Sequence, residues 1–120
     1  MTSNWPSTAA SLACVVPALL SGTLAWGAYP EKPIRVIVPS PPGGGNDIMA
    51  RLASLKLAEA WGKQVVVDNR PGAGGAIAFE TVARAEANGY TLLLGSTNLT
   101  VLPDIQKVNY HPIKDFVPVS

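Results

Sequence analysis

Residues 64–85 read QVVVDNRPGAGGAIAFETVARA. The β-branched run ending at Asp68 has the composition of a buried strand, NRPGAGG is a turn rich in glycine, and the run from Ala76 to about Ala87 carries apolar residues at helical spacing. No side chain between Pro71 and Gly75 is of a type that does chemistry, so the turn must act through its backbone.

The same strand, glycine turn and helix stand upstream. Pro33 precedes IRVIV (34–38), PSPPGGGND (39–47) follows, and IMARLASLKLAEAW (48–61) places Ile48, Leu52 and Leu55, flanked by Met49 and Ala53, on one helical face before Gly62. Trp61, at the end of that face, reads as a core residue. Downstream, NGY (88–90) turns the chain into a third strand, TLLLG (91–95). The order is β-α-β-α-β. Strands with so few polar positions suit a parallel sheet covered by helices, and right-handed crossovers put all three in one sheet. The expected fold class is therefore α/β.

In an open α/β sheet, ligands bind beside the loops that leave the carboxyl ends of the strands. Two of those loops are glycine-rich and each opens a helix, so unpaired N–H groups and two positive helix-dipole ends face a common point suited to an anion. Pro42 has no N–H, which leaves Gly43, Gly44 and Gly45 as donors in the first loop. Asn46 reads either as a ligand contact or as the helix N-cap, and Asp47 either as a contact or as a carboxylate favoured by the dipole. Ser96 and Thr97, after the third strand, face the same edge. Neither loop has the Lys-Ser/Thr pair of a P-loop, and GAGGAI has Ile77 where a dinucleotide fingerprint has its third glycine. A carboxylate suits neutral N–H donors better than a triphosphate does. Arg70, between Asn69 and Pro71, reads as an anchor of the turn to a nearby carboxylate.

With nine Lys and Arg against eight Asp and Glu, the 120-residue chain has almost no net field to attract nucleic acid or an anionic membrane. Residues 1–30 contain no Lys, Arg, Asp or Glu. The apolar, Pro17-broken stretch within them reads as an export signal, residues 1–27, with Ala25 and Gly27 at the small-residue positions of the cleavage site. Its start lacks the usual basic residues, and Ala9–Ala28 is long enough for a membrane helix, so an uncleaved anchor is the competing reading. Cys14 reads as part of the signal, which leaves no cysteine beyond it for a disulfide or thiolate metal site. His111, the one histidine, reads as a loop residue, and neither a metal nor a cofactor is expected.

The residues from Tyr29 to Ser120, and above all NRPGAGG (69–75), GYTLL (89–93), the P-x-G-G-x-x-D loop (41–47) and KDF-x-PVS (114–120), resemble the amino-terminal part of the tripartite tricarboxylate transporter receptors, the Bug family of periplasmic solute-binding proteins. The resemblance implies a two-domain, Venus-flytrap (type II periplasmic binding protein-like) receptor that catalyses no reaction. Such a receptor closes over a small carboxylate, whether a di- or tricarboxylate, an amino acid or an aromatic acid, and delivers it to one small and one large integral membrane subunit. It implies ligand contacts at Pro41, Gly43, Gly44, Gly45, Asn46 and Asp47, and at Gly72, Ala73, Gly74 and Gly75, to which the sheet argument adds Ser96 and Thr97. The first loop departs from the family's usual form at Ser40, Pro42 and Asn46, where an aromatic residue, Ala and Thr or Ser are common. Family members continue into a second domain, so residues 28–120 are expected to form an incomplete first domain that binds its solute weakly or not at all. The alternatives are a membrane-anchored interaction module, if residues 9–28 stay uncleaved, and a small hydrolase, although no Ser-His-Asp set or G-x-S-x-G motif accompanies the turns.

Overall fold

Ile34–Val38 form the central strand, β1, because four of its five residues are apolar and both of its faces are covered. A computed structural model describes residues 27–119. After β1 come α1 (Gly45–Trp61), β2 (Val65–Asn69), a short 3₁₀ turn (Ala73–Gly75) running into α2 (Ala76–Ala83), β3 (Thr91–Leu93) and α3 (Asn98–Ile105). The three strands are parallel in the order β2-β1-β3, with Val36 opposite Val67 and Leu92. The chain thus leaves β1 toward one edge and returns past it to the other. Right-handed crossovers in opposite directions put successive helices on opposite faces.

The core follows this division. Ile37 points to the face covered by α2 and α3, where it meets Ala76, Ala78, Phe79, Leu102 and Tyr110. Val36 and Val38 point the other way, toward Ala50 of α1. Phe79 and Tyr110 meet edge-to-face with ring centres 5.6 Å apart.

Four expectations need correction. First, α1 begins at Gly45 and buries the opposite side from the apolar stripe: Ile48, Leu52 and Leu55 are 53%, 56% and 61% exposed, while Asp47, Ala50 and Ser54 are buried. Helical spacing shows that residues share a face, but not which face turns inward. Small side chains at 50 and 54 allow α1 to lie close on the sheet, and a buried Asp47 fixes its rotation. Secondly, α2 stops at Ala83 rather than near Ala87. Ala85 N–H already bonds the Val82 carbonyl, and Asn88 accepts from Tyr90 N–H and donates to Glu86, drawing the chain into a turn. β3 is likewise shorter than TLLLG, ending at Leu93.

Thirdly, α3 was not anticipated, since it contains Pro103. Proline there has no N–H for the Leu99 carbonyl, and the Tyr110 hydroxyl donates to that carbonyl instead, at 3.0 Å. Fourthly, Trp61 is half-buried and packs its ring against Tyr29 at the amino end of the sheet, outside the core. The expected signal, residues 1–26 with Cys14, lies outside the described residues. Among the described residues no helix is long and apolar enough to cross a membrane.

The inverted burial of α1 sets a test by urea unfolding of the full chain. Leu52→Glu will change stability by no more than about 0.5 kcal/mol, as at an exposed site. Ala50→Leu will cost about 1–3 kcal/mol through overpacking against β1. The reverse ranking would show that the apolar stripe faces inward.

Candidate functional site

Three loops leave the carboxyl ends of the strands and meet around a cavity of about 360 Å³. The first follows β1. Gly43 takes φ +84°, Gly44 N–H bonds the Pro41 carbonyl at 3.3 Å, and Gly44 occupies the N-cap position of α1 in extended geometry. No side chain caps the helix, so the N–H groups of Gly45, Asn46 and Asp47 have no partner within it. Asn46 is therefore not the cap. It is the second helical residue, exposed, with no side-chain hydrogen bond among the described residues, and it lines the cavity.

Asp47 is 3% exposed and turns away from the cavity. Its carboxylate accepts from Arg51 Nε at 3.0 Å, from Gly43 N–H at 2.9 Å and from Asn69 Nδ2 at 2.9 Å. Asn69 Nδ2 also donates to the Ser40 carbonyl at 3.0 Å. A third helical residue reaching back to an N–H ahead of the helix is the logic of a capping box, here extended to the end of β2. The hydrogen bond from Arg51, then those from Gly43 and Asn69, hold the Asp47 pKa down at about 2 against the opposing effect of burial.

The second loop begins where Arg70 N–H bonds the Val38 carbonyl at 2.8 Å, continuing the ladder past β2. Arg70 Nε pairs with Asp68 at 3.2 Å, as an anchor of the turn would. Burial raises the Asp68 pKa, but hydrogen bonds from Arg35 and Arg70 outweigh it and hold the group below its usual range. Four residues in a row, Gly72, Ala73, Gly74 and Gly75, have positive φ. A Cβ on Gly75 would lie 2.8 Å from Phe79 Cζ and 3.2 Å from Pro39 Cβ, so glycine here serves both the turn and the close approach of the first two loops. Successive N–H groups in such a turn form a concavity that favours anions.

The third loop supplies Ser96 and Thr97 and opens α3. Of the residues anticipated from sequence, Pro41, Asn46, Gly72, Gly74, Gly75, Ser96 and Thr97 line the cavity. Gly43, Gly44, Gly45, Asp47 and Ala73 stand behind it as backbone and support. Pro39, Ser40, Pro71 and Asn98 also line it and were not anticipated; position just after a strand was the signal available for Pro39 and Ser40, whereas Asn98 needed knowledge of α3. No Arg or Lys lines the cavity. Arg51 is engaged by Asp47, and Arg35 and Arg70 by Asp68. The electrostatics of the site are those of peptide dipoles. A separate slot of about 460 Å³, beside α3 and the 112–119 segment, is lined mainly by apolar groups such as Leu93, Leu99 and Phe116. His111 sits in a turn, where Nδ1 accepts from the Ile113 and Lys114 N–H groups.

Comparison with known proteins agrees with this arrangement. The sequence profile of the family described as tripartite tricarboxylate transporter family receptor matches residues 49–120. Protein BugT of Bordetella pertussis is 41% identical over 112 residues, covering 88% of this chain and 33% of BugT. The structure of the periplasmic binding protein BugD superposes with a TM-score of 0.72 at 38% identity, covering 76% of this chain and 31% of BugD. MatC of Rhodopseudomonas palustris, solved with bound malate, superposes with a TM-score of 0.67 at 34% identity, covering 76% of this chain and 32% of MatC. The chain spans between a quarter and a third of the length of the first curated relatives it matches. The three-stranded parallel sheet is thus the α/β arrangement of periplasmic binding proteins, and the matching family consists of transport receptors rather than enzymes.

Two outcomes follow from the site geometry. The folded pKa of Asp47 lies below its unfolded value of 3.8, so its contribution to stability is complete above about pH 4 and disappears as pH falls through about 2. Thermal melts over that range will fall steeply for the wild type, and Asp47→Asn will melt lower at neutral pH with a flatter acid limb. An unchanged slope would remove Asp47 from the acid transition. Gly75→Ala, which forces a methyl group toward Phe79 at φ +104°, will lower stability by about 1–3 kcal/mol in chemical denaturation. A neutral result would show that the second loop can move.

Proposed function

Because this chain belongs to the tripartite tricarboxylate transporter receptor family, we propose that it supplies one wall of an extracytoplasmic receptor for a small carboxylate. Residues 28–120 form the opening part of the receptor's first domain, exported to the periplasm behind residues 1–27. The loaded receptor hands its solute to one small and one large integral membrane subunit.

The observation that carries this reading is the cavity at the strand ends, where three loops converge with unpaired N–H groups and no side-chain cation. A carboxylate there accepts from the backbone of Gly72, Ala73 and Gly74, with the Asn46 amide and the Ser96 and Thr97 hydroxyls as further donors. Gly43, Gly44 and Gly45 shape the first loop and turn the first N–H groups of α1 toward the same region. Asp47 takes part indirectly, by holding that loop in place. Malate bound to MatC, a relative with the same local fold, supports a dicarboxylate as the ligand class. The donors are neutral and weak singly, since a hydrogen bond to a charged group contributes only about 1.5–3 kcal/mol.

Titration of the ¹⁵N-labelled chain with malate, followed by amide shifts, tests the proposal. Shifts will concentrate at residues 44–47, 72–75 and 96–98, with a Kd weaker than about 1 mM, an affinity of roughly −4 kcal/mol or less from a single wall. Absence of shifts at saturating malate, or shifts confined to the apolar slot beside α3, would refute it.

A further inference from the structure

One side of α3 lies against the second glycine loop. Asn98 Nδ2 donates to the Gly74 carbonyl at 2.9 Å, and Gln106 Nε2 donates to the Ala73 carbonyl at 3.4 Å. Between them Leu102 is 5% exposed, and its Cδ2 would lie 3.2 Å from a Cβ placed on Gly74. Positions 98, 102 and 106 recur every four residues, the spacing of one helical face. Asn98, Leu102 and Gln106 therefore act on the same two peptide groups.

Their effect concerns which end of each peptide faces the cavity. The Gly72 carbonyl accepts from Gly75 N–H at 2.9 Å, the Ala73 carbonyl from Ala76 N–H and Gln106, and the Gly74 carbonyl from Asn98. All three carbonyls are thus engaged away from the cavity. The N–H groups of Gly72, Ala73 and Gly74 find no acceptor among the described residues. Glycine peptides can rotate at little steric cost, and a rotated plane would present a carbonyl oxygen to the cavity and repel an anion. Something must hold the planes as they are.

We infer that Asn98, backed by Gln106, is a positioning residue that locks the 72–75 loop with its N–H groups outward, so that carboxylate affinity depends on amides of α3. This rests on the carboxylate reading of the cavity. Gln106 does not line the cavity, and any effect of its removal must pass through the loop.

The test uses the labelled full chain in wild-type, Asn98→Ala and Gln106→Ala forms, with thermal melts to confirm folding. In ligand-free protein, Asn98→Ala will shift the Gly74 carbonyl ¹³C resonance and speed amide exchange at Gly75. Malate affinity will fall about five- to tenfold, the scale of one lost hydrogen bond of about 1 kcal/mol. Gln106→Ala will move the same observables in the same direction by less. Unchanged loop resonances in Asn98→Ala overturn the inference, as does a loss of malate affinity without a change in the loop, which would make Asn98 a direct contact. A wild-type chain that ignores malate would count against the carboxylate reading alone, because the ligand-free spectra decide whether the lock exists.

Discussion

The buried carboxylate of Asp47 is the constraint on which the rest of this structure depends. An ionised group that is 3% exposed is tolerable only when its oxygens are occupied, and here three donors from three different segments occupy them. Gly43 N–H bends the first loop back over the helix it opens. Arg51 contributes from one turn further along α1, and Asn69 from the last position of β2. The same group thereby fixes the shape of a loop, the rotation of a helix and the distance between two strand ends. It also explains why α1 presents Ile48, Leu52 and Leu55 outward: turning that stripe toward the sheet would carry Asp47 away from all three donors.

Once the strand ends are held, the topology brings the loops together. With β1 in the centre and its neighbours reached in opposite directions, the loops after β1 and β3 leave toward opposite faces, and a crevice opens between them. The loop after β2 closes its side because four consecutive residues at positive φ let it pass beneath Pro39 and Phe79. Three of those four are glycine. Ala73, at φ +47°, shows that the turn imposes the conformation even where a side chain resists it.

The strands and the order of elements were legible in the sequence because β-branched runs such as Ile34–Val38 and Val65–Val67 allow few other readings between glycine-rich turns. The general position of the site was legible for the same reason, since a parallel sheet sends its loops to one edge. What escaped depended on long-range partners. The inward face of α1 is set by Asn69, 22 residues from Asp47. Helix α3 depends on Tyr110 taking the carbonyl that Pro103 leaves unpaired, and without α3 nothing marks Asn98 as a neighbour of Gly74. Asn46 was open to two readings because the cap of α1 is provided by glycine backbone and a reaching Asp47, a device that local preference does not single out.

The neutrality of the cavity has a consequence for selectivity. Every nearby arginine is already engaged by Asp47 or Asp68, so binding a carboxylate here requires no competition between the ligand and an internal ion pair. Peptide N–H groups favour an anion over a neutral solute, but they reward any carboxylate that presents two oxygens at the right spacing. Discrimination between a short and a long diacid must then come from groups that meet the far end of the ligand. Loops 39–46, 71–75 and 96–98 grip one end only. A receptor built on this wall is therefore specified in two parts: the glycine loops set the charge class, and whatever faces them sets the length and substituents of the solute.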